Sequence, residues 1–143
     1  MGLDMYLYKT KKFNSQKAFY ENYYDEEKFD KDCYYYEDII FYWRKHSDLH
    51  GLMEEMYHLR LEEIKEYIKE EDKECFNCIP LVITKEDVIE IIELHENNEI
   101  PEARGFFWGA SREEDFKESL EQFKELLEEM DWYNETVFYN SWW

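Results

Sequence analysis

Glycine and proline are scarce, with four and two in 143 residues. The scattered Gly2, Gly51, Gly105 and Gly109 form no glycine-rich phosphate loop, and no Pro/Gly/Ser-rich linker or repeat divides the chain. One domain over residues 1–143 is therefore expected, a size at which a chain can bury a real core. Basic residues are also few, 17 Lys plus Arg against 36 Asp plus Glu, a net charge of −19. Such a field repels phosphates and anionic headgroups and attracts basic surfaces, so direct nucleic-acid binding is not expected. No stretch approaches the ~18 apolar residues of a membrane span. Met1 to Tyr8 carries an acid and leads into no apolar signal region, so no export signal is read. Cys33, Cys75 and Cys78 then read as thiols of a reducing cytoplasm.

What the chain does have is rings: a fifth of its residues are Phe, Trp or Tyr, which argues against disorder. Gly2 to Tyr8 alternates apolar and other residues with period two, predicting a strand. Lys9 to Lys17 reads as a basic loop, and Ala18 to Glu37 as irregular or part-helical. Over Asp38 to His58, residues Ile39, Tyr42, His46, Leu49, Met53 and Met56 recur at three and four, predicting a helix. Gly51 would cost that helix ~1 kcal/mol. Leu59 to Glu74 continues it, with glutamates and lysines paired along a solvated face.

Cys78 to Ile83 reads as a strand that Pro80 confines to an edge or an entry. Thr84-Lys-Glu-Asp87 caps the next helix. Arg104 to Gly109 reads as an aromatic strand, Ser111-Arg-Glu-Glu114 as a capping box, and Phe116 to Met130 as a strongly amphipathic helix. Thr136 to Trp143 closes the chain as an aromatic strand. The expected class is α+β, a small few-stranded sheet with amphipathic helices packed on one side.

Two regions carry candidate chemistry. Trp43, Arg44, Lys45, His46 and His50 form a cationic, aromatic island in an acidic chain. On a helix Trp43, His46 and His50 are neighbours, so the island suits a nucleotide-like anion held by an Arg fork and stacked on Trp. The plainer alternative is that Trp43 and His46 lie in a core seam while Arg44 and Lys45 pair with local acids. The final helix presents Glu114, Glu118, Glu121, Glu125 and Glu128 on one face. Acids every three to four residues lie ~5 Å apart, loosely matching the ~3.4 Å charge spacing of a nucleic-acid strand. The plainer alternative there is a solvated face.

Other chemistries lack their parts. His46, His50, Glu54 and His58 stand four apart, but steps of four drift about 40° around a helix and cannot converge on one ion. Cys75 and Cys78 have redox spacing yet precede a strand instead of opening a helix, which favours structural thiols. Neither Gly-x-Ser-x-Gly nor a paired acid stands out, so no catalytic residue, metal or cofactor is assigned and binding is expected ahead of catalysis.

Gly2-Leu-Asp-Met-Tyr-Leu7, Tyr42-Trp-Arg-Lys45 with His50, Thr84 to Asp87, Gly105-Phe-Phe-Trp-Gly109 and Tyr139-Asn-Ser-Trp142 follow one another in a familiar order. The chain resembles an uncharacterised family of small bacteriophage and prophage proteins, departing from it at His46, where a small residue is usual, and at Ser47, where Asn is usual. The resemblance implies action inside a bacterial host. It also marks Trp43, Arg44, Lys45, His50, Tyr139, Ser141 and Trp142 as positions of one pocket. Two binding roles are expected: a counter-defence inhibitor of anti-CRISPR type, whose acidic face occupies the basic groove of a host protein, or a binder of a nucleotide immune signal. An enzyme using His50 as acid or base on such a nucleotide is the third.

Overall fold

A computed structural model describes residues 2–25, 38–73 and 75–143. Two long strands, β1 (Asp4–Lys11) and β4 (Glu135–Trp142), pair antiparallel along their whole length, from Asp4 opposite Trp142 to Lys11 opposite Glu135. β2 (Ile39–Arg44) flanks β1 and β3 (Leu81–Ile83) flanks β4, giving the antiparallel order β2-β1-β4-β3. The period-two pattern explains the central pair. Met5 and Leu7 face one side with Tyr139 and Ser141, while Tyr6 and Tyr8 face the other with Asn140 and Phe138.

Helices cover the first face: α2 (Ser47–Ile64) lays His50 on Tyr139, and α4 (Glu113–Glu129) stacks Phe123 on Trp43. α3 (Lys85–Glu96) joins that layer by packing along α4. The fold is thus α+β, with its three long helices in one layer. Short α1 (Gln16–Tyr23), capped by the Ser15 hydroxyl, sets Phe19 on Phe138 and so reaches the opposite face. Leu3, Met5, Leu7, Leu49, Met53, Val88, Phe123, Val137 and Tyr139 are all fully buried in one continuous core. Each such side chain contributes roughly 1.5–3 kcal/mol. Among the described residues, no helix is long and apolar enough to cross a membrane.

The edge at β3 is blocked. Pro80 has no N–H, its carbonyl accepts from the Tyr20 hydroxyl at 2.7 Å, and the Val82 carbonyl accepts from Arg60, which also pairs with Asp87. An edge so covered offers little to a foreign strand.

Several sequence expectations are corrected. The helix read over Asp38 to His58 is two elements, β2 and the start of α2. Ile39-Ile-Phe-Tyr-Trp-Arg44 is β-branched and aromatic, and pairing with β1 outweighs the helical spacing. The chain breaks at Lys45, whose φ is +58°. Continuation beyond Ile64 is limited to turns and a 3-10 segment at Glu70–Asp72. Arg104 to Gly109 is a turn, not a strand: the Trp108 amide donates to the Gly105 carbonyl, and a Cβ at Gly105 would lie 2.3 Å from the Trp108 ring. The box expected at Ser111 to Glu114 is shifted by one, so that the Asp115 carboxylate accepts from the Arg112 amide. The expected basic loop is strand up to Lys11, and α1 begins at Gln16. Thr84 and Asp87 do form the reciprocal capping box. Residues 26–37 of the expected irregular stretch, with Cys33, lie outside the described residues.

Candidate functional site

α2 opens between two buried histidines in different surroundings. His46, its N-cap, faces α3 and α4. The His46 ring nitrogens lie 2.8 Å from the Ser111 hydroxyl and 3.1 Å from the Ser119 hydroxyl, and Ser119 lies 2.7 Å from His95 Nε2. The proton positions follow from one carbonyl. His95 Nδ1 sits 2.7 Å from the Ile91 carbonyl, which only accepts, so Nδ1 carries the hydrogen and Nε2 accepts from Ser119. Ser119 then accepts from His46 Nε2–H, and His46 Nδ1 accepts from Ser111, which itself accepts the Asp48 amide. Every donor points the same way and both rings are neutral. Burial holds the His46 pKa down at about 4, opposed by the nearby Asp115 carboxylate, and lowers that of His95 as well.

His50 is fully buried one turn on. Its Nδ1 lies 2.6 Å from the Tyr139 hydroxyl, and its ring is caged by Phe76, Trp108, Tyr139 and Trp143. Burial pushes its pKa down to about 3 and raises that of Tyr139 well above 10. The neighbouring Ser141 hydroxyl tempers the rise at Tyr139, yet makes no hydrogen bond of good geometry.

The cations meet outside this cage. Lys45 and Arg44 crowd Gly2: a Cβ there would lie 3.0 Å from Lys45 Cε and 3.4 Å from Arg44 Nη2. Gly109, at φ +72°, likewise makes way for the Lys45 stem. One cavity of about 240 Å³ is lined by Gly2, Asp4, Arg44, Trp142 and Trp143. A second of about 350 Å³ is lined by Arg44, Lys45, Ala110, Arg112 and Asp115. Arg44 stands in both. Among the described residues, neither Arg44 nor Lys45 forms an ion pair, whereas Arg112 pairs with Asp115 at 3.1 Å. Burial alone would raise the Asp115 carboxyl, but hydrogen bonds from the Arg112 side chain and amide hold it below its usual range. The left-handed backbone of Lys45 is costly for a side chain of this kind, a strain that tends to gather at functional sites.

The seven pocket positions read from the sequence therefore divide. Arg44 and the 65 % exposed Trp142 line a cavity, and Lys45 borders the next. His50, Tyr139 and Ser141 form the buried cage behind. Trp43 is corrected: its ring stacks on Phe123 and its N–H donates to Gln122 at 2.6 Å, so it offers no free face. Nor are Trp43, His46 and His50 neighbours on one helix, since Trp43 lies on β2. Glu114, Glu118, Glu121, Glu125 and Glu128 are all exposed on α4, and no cation pairs with any of them among the described residues. No group of metal-ligating side chains occurs among the described residues, and Cys75 and Cys78 are exposed.

Sequence reasoning assigned none of Ser111, Ser119, Trp108, Trp143 and Arg112 to the site. Ser119 left one trace, a serine three after Phe116 and four before Phe123 on an apolar stripe. No protein-family model, curated protein or solved structure matches this chain.

Proposed function

We propose that this is a phage-type protein that acts inside a bacterial host by binding a nucleotide-like anion, capturing a nucleotide signal of host immunity. The observation that carries the reading is Arg44: among the described residues its guanidinium forms no ion pair, it lines two cavities, and it stands beside Lys45, likewise without an ion pair there, and the exposed Trp142 ring. In a chain of net charge −19, two unpaired cations side by side reverse the local sign, which anion capture requires. Arg44 provides the planar fork for a phosphate, Lys45 a point charge, and Trp142 a face for a ring.

Calorimetric titration with mono-, di- and cyclic nucleotides tests the reading. Arg44→Ala is expected to abolish binding without lowering the melting temperature, because among the described residues the side chain forms no ion pair or hydrogen bond. Arg44→Lys is expected to lose about tenfold, since an ammonium cannot reproduce the fork. A panel in which no nucleotide binds or raises the melting temperature overturns it.

A second reading is favoured by the five unpaired carboxylates of α4, which suit the basic surface of a host nucleic-acid-binding protein in the manner of an anti-CRISPR inhibitor. Replacing all five by Gln is expected to slow association with such a protein and flatten its salt dependence. Unchanged affinity in that variant removes the helix from the interface.

A further inference from the structure

The sheet has an edge strand on each side, β2 and β3, and they are finished differently. Beside β3 the outer carbonyls are taken by Tyr20 and Arg60. At β2 the Lys45 amide donates to the Leu3 carbonyl at 2.9 Å, which sets the alternation of the ladder. Trp43 and Phe41 then exchange bonds with Met5 and Leu7, and the N–H and C=O of Tyr42 and Arg44 point away from β1. Among the described residues these outward groups have no hydrogen-bond partner. The register shift that leaves Ile40 unopposed ends the regular stretch, so residues 41–44 form an open edge without a proline.

α4 runs beside this edge. Trp43 Nε1 donates to Gln122 at 2.6 Å, and Ile39, Phe41, Leu126, Glu125 and Glu129 line a cavity of about 290 Å³. The one cation lining that cavity, Lys9, is already paired with Glu135 at 3.9 Å. Glu118, Gln122, Glu125 and Glu129 follow spacings of four, three and four, so they form one stripe of the helix and overlook β2. No cation pairs with those three glutamates among the described residues. The other face of the edge is aromatic: Tyr42 is 46 % exposed, and its ring lies 5.2 Å from that of Tyr6.

Building on the reading of α4 as an acidic interface, we infer that the outer edge of β2 takes up an extended segment of a partner protein as a fifth strand, with basic side chains on the α4 face and apolar ones on the Tyr42 face. Main-chain bonds to Tyr42 and Arg44 hold the strand, and the alternation of its side chains gives the selectivity. The basic residues sit at the Glu125 and Glu129 end, away from Arg44. A second copy of this chain is the wrong occupant. Two β2 edges paired about a twofold axis would set two chains of net charge −19, and their α4 carboxylates, side by side.

Amide hydrogen exchange of the full chain, alone and with a short synthetic peptide alternating Lys and Val, tests this. Alone, the Tyr42 and Arg44 amides are expected to exchange much faster than those of Phe41 and Trp43. The peptide is expected to protect both, and to bind at least about tenfold more tightly than one alternating Glu and Val. Tyr42→Pro, which deletes an outward N–H and no bond to β1, is expected to abolish binding, whereas Tyr42→Phe keeps it. Glu125→Gln combined with Glu129→Gln is expected to weaken binding about tenfold and flatten its salt dependence. If that double variant weakens the peptide while the Tyr42 and Arg44 amides stay unprotected, the acidic face is an interface but the edge is not, and the strand inference alone falls. If the Lys peptide binds no tighter than the Glu peptide, the acidic-face reading falls with it. Protection of both amides without peptide shows the edge to be already occupied and overturns the inference, with growth of that protection with protein concentration identifying a second copy.

Discussion

His46 and His50 lie four residues apart, both are buried and neutral, and they differ in one respect: whether their hydrogen bonds are complete. Around His46 each donor meets an acceptor, from the Asp48 amide through Ser111, His46, Ser119 and His95 to the Ile91 carbonyl. Around His50 the chain stops after one bond, leaving Nε2 and two neighbours without partners among the described residues. A complete polar network in a core fastens helices in one arrangement, here the start of α2 to α3 and α4. An incomplete one costs stability and keeps its donors in reserve. The first arrangement ties elements together, and the second leaves polar atoms in the core without partners among the described residues.

Ser119→Ala should break the contrast most strongly. It strands the His46 Nε2–H and the His95 Nε2 lone pair at about 1–3 kcal/mol each, so a loss of ~2–6 kcal/mol is expected in urea denaturation. That is a large share of the ~5–15 kcal/mol that holds a small domain.

Acid acts on both sites at once. The folded pKa values of His46, near 4, and His50, near 3, lie below the ordinary 6.5, and that of His95 is lowered too. Between those values and 6.5 the unfolded chain binds more protons than the folded one. Stability is therefore full above pH 6.5 and falls as pH drops toward 4 and below, each histidine contributing up to ~1.4 kcal/mol per pH unit. Denaturation midpoints at pH 7.5, 6 and 5 check this; a flat profile would mean that the rings are not buried.

Ser141→Ala should be the smallest change, between neutral and ~1 kcal/mol stabilising, because the hydroxyl removed makes no hydrogen bond of good geometry among the described residues. A loss as large as that of Ser119→Ala would show that the two sites do not differ.

Much of the frame was legible because it is periodic. The alternation of residues 2 to 8 and the aromatic run of 136 to 143 marked the two central strands, and the box at Thr84 and Asp87 marked the start of α3. β2 was not, since Ile39 to Met56 has no Gly or Pro before Gly51 and the break falls on a lysine at positive φ. Gly105-Phe-Phe-Trp-Gly109 resembled a strand because a glycine needed for close packing on an indole is spelled like one ending a strand. At the site, local contrast revealed the cations Arg44 and Lys45, but it misplaced Trp43, whose partner Phe123 is far along the chain. The His50–Tyr139 bond spans 89 residues, and no local pattern encodes a contact at that separation.

The pairing of β1 with β4 joins Asp4 to Trp142. During synthesis, β1 leaves the ribosome with Met5 and Leu7 ready for burial, and its longest partner, β4, follows only after β2, β3 and helices α1 to α4. At about 5–20 residues per second, that is an interval of roughly 6–30 s in which an apolar strand lacks the neighbour that completes it. Closing so long a loop is slow as well as late, because its entropy is lost before the contacts form. Nascent chains stalled before residue 135 should therefore depend on chaperones, while chains that include β4, with β1 in the middle of the sheet, should not.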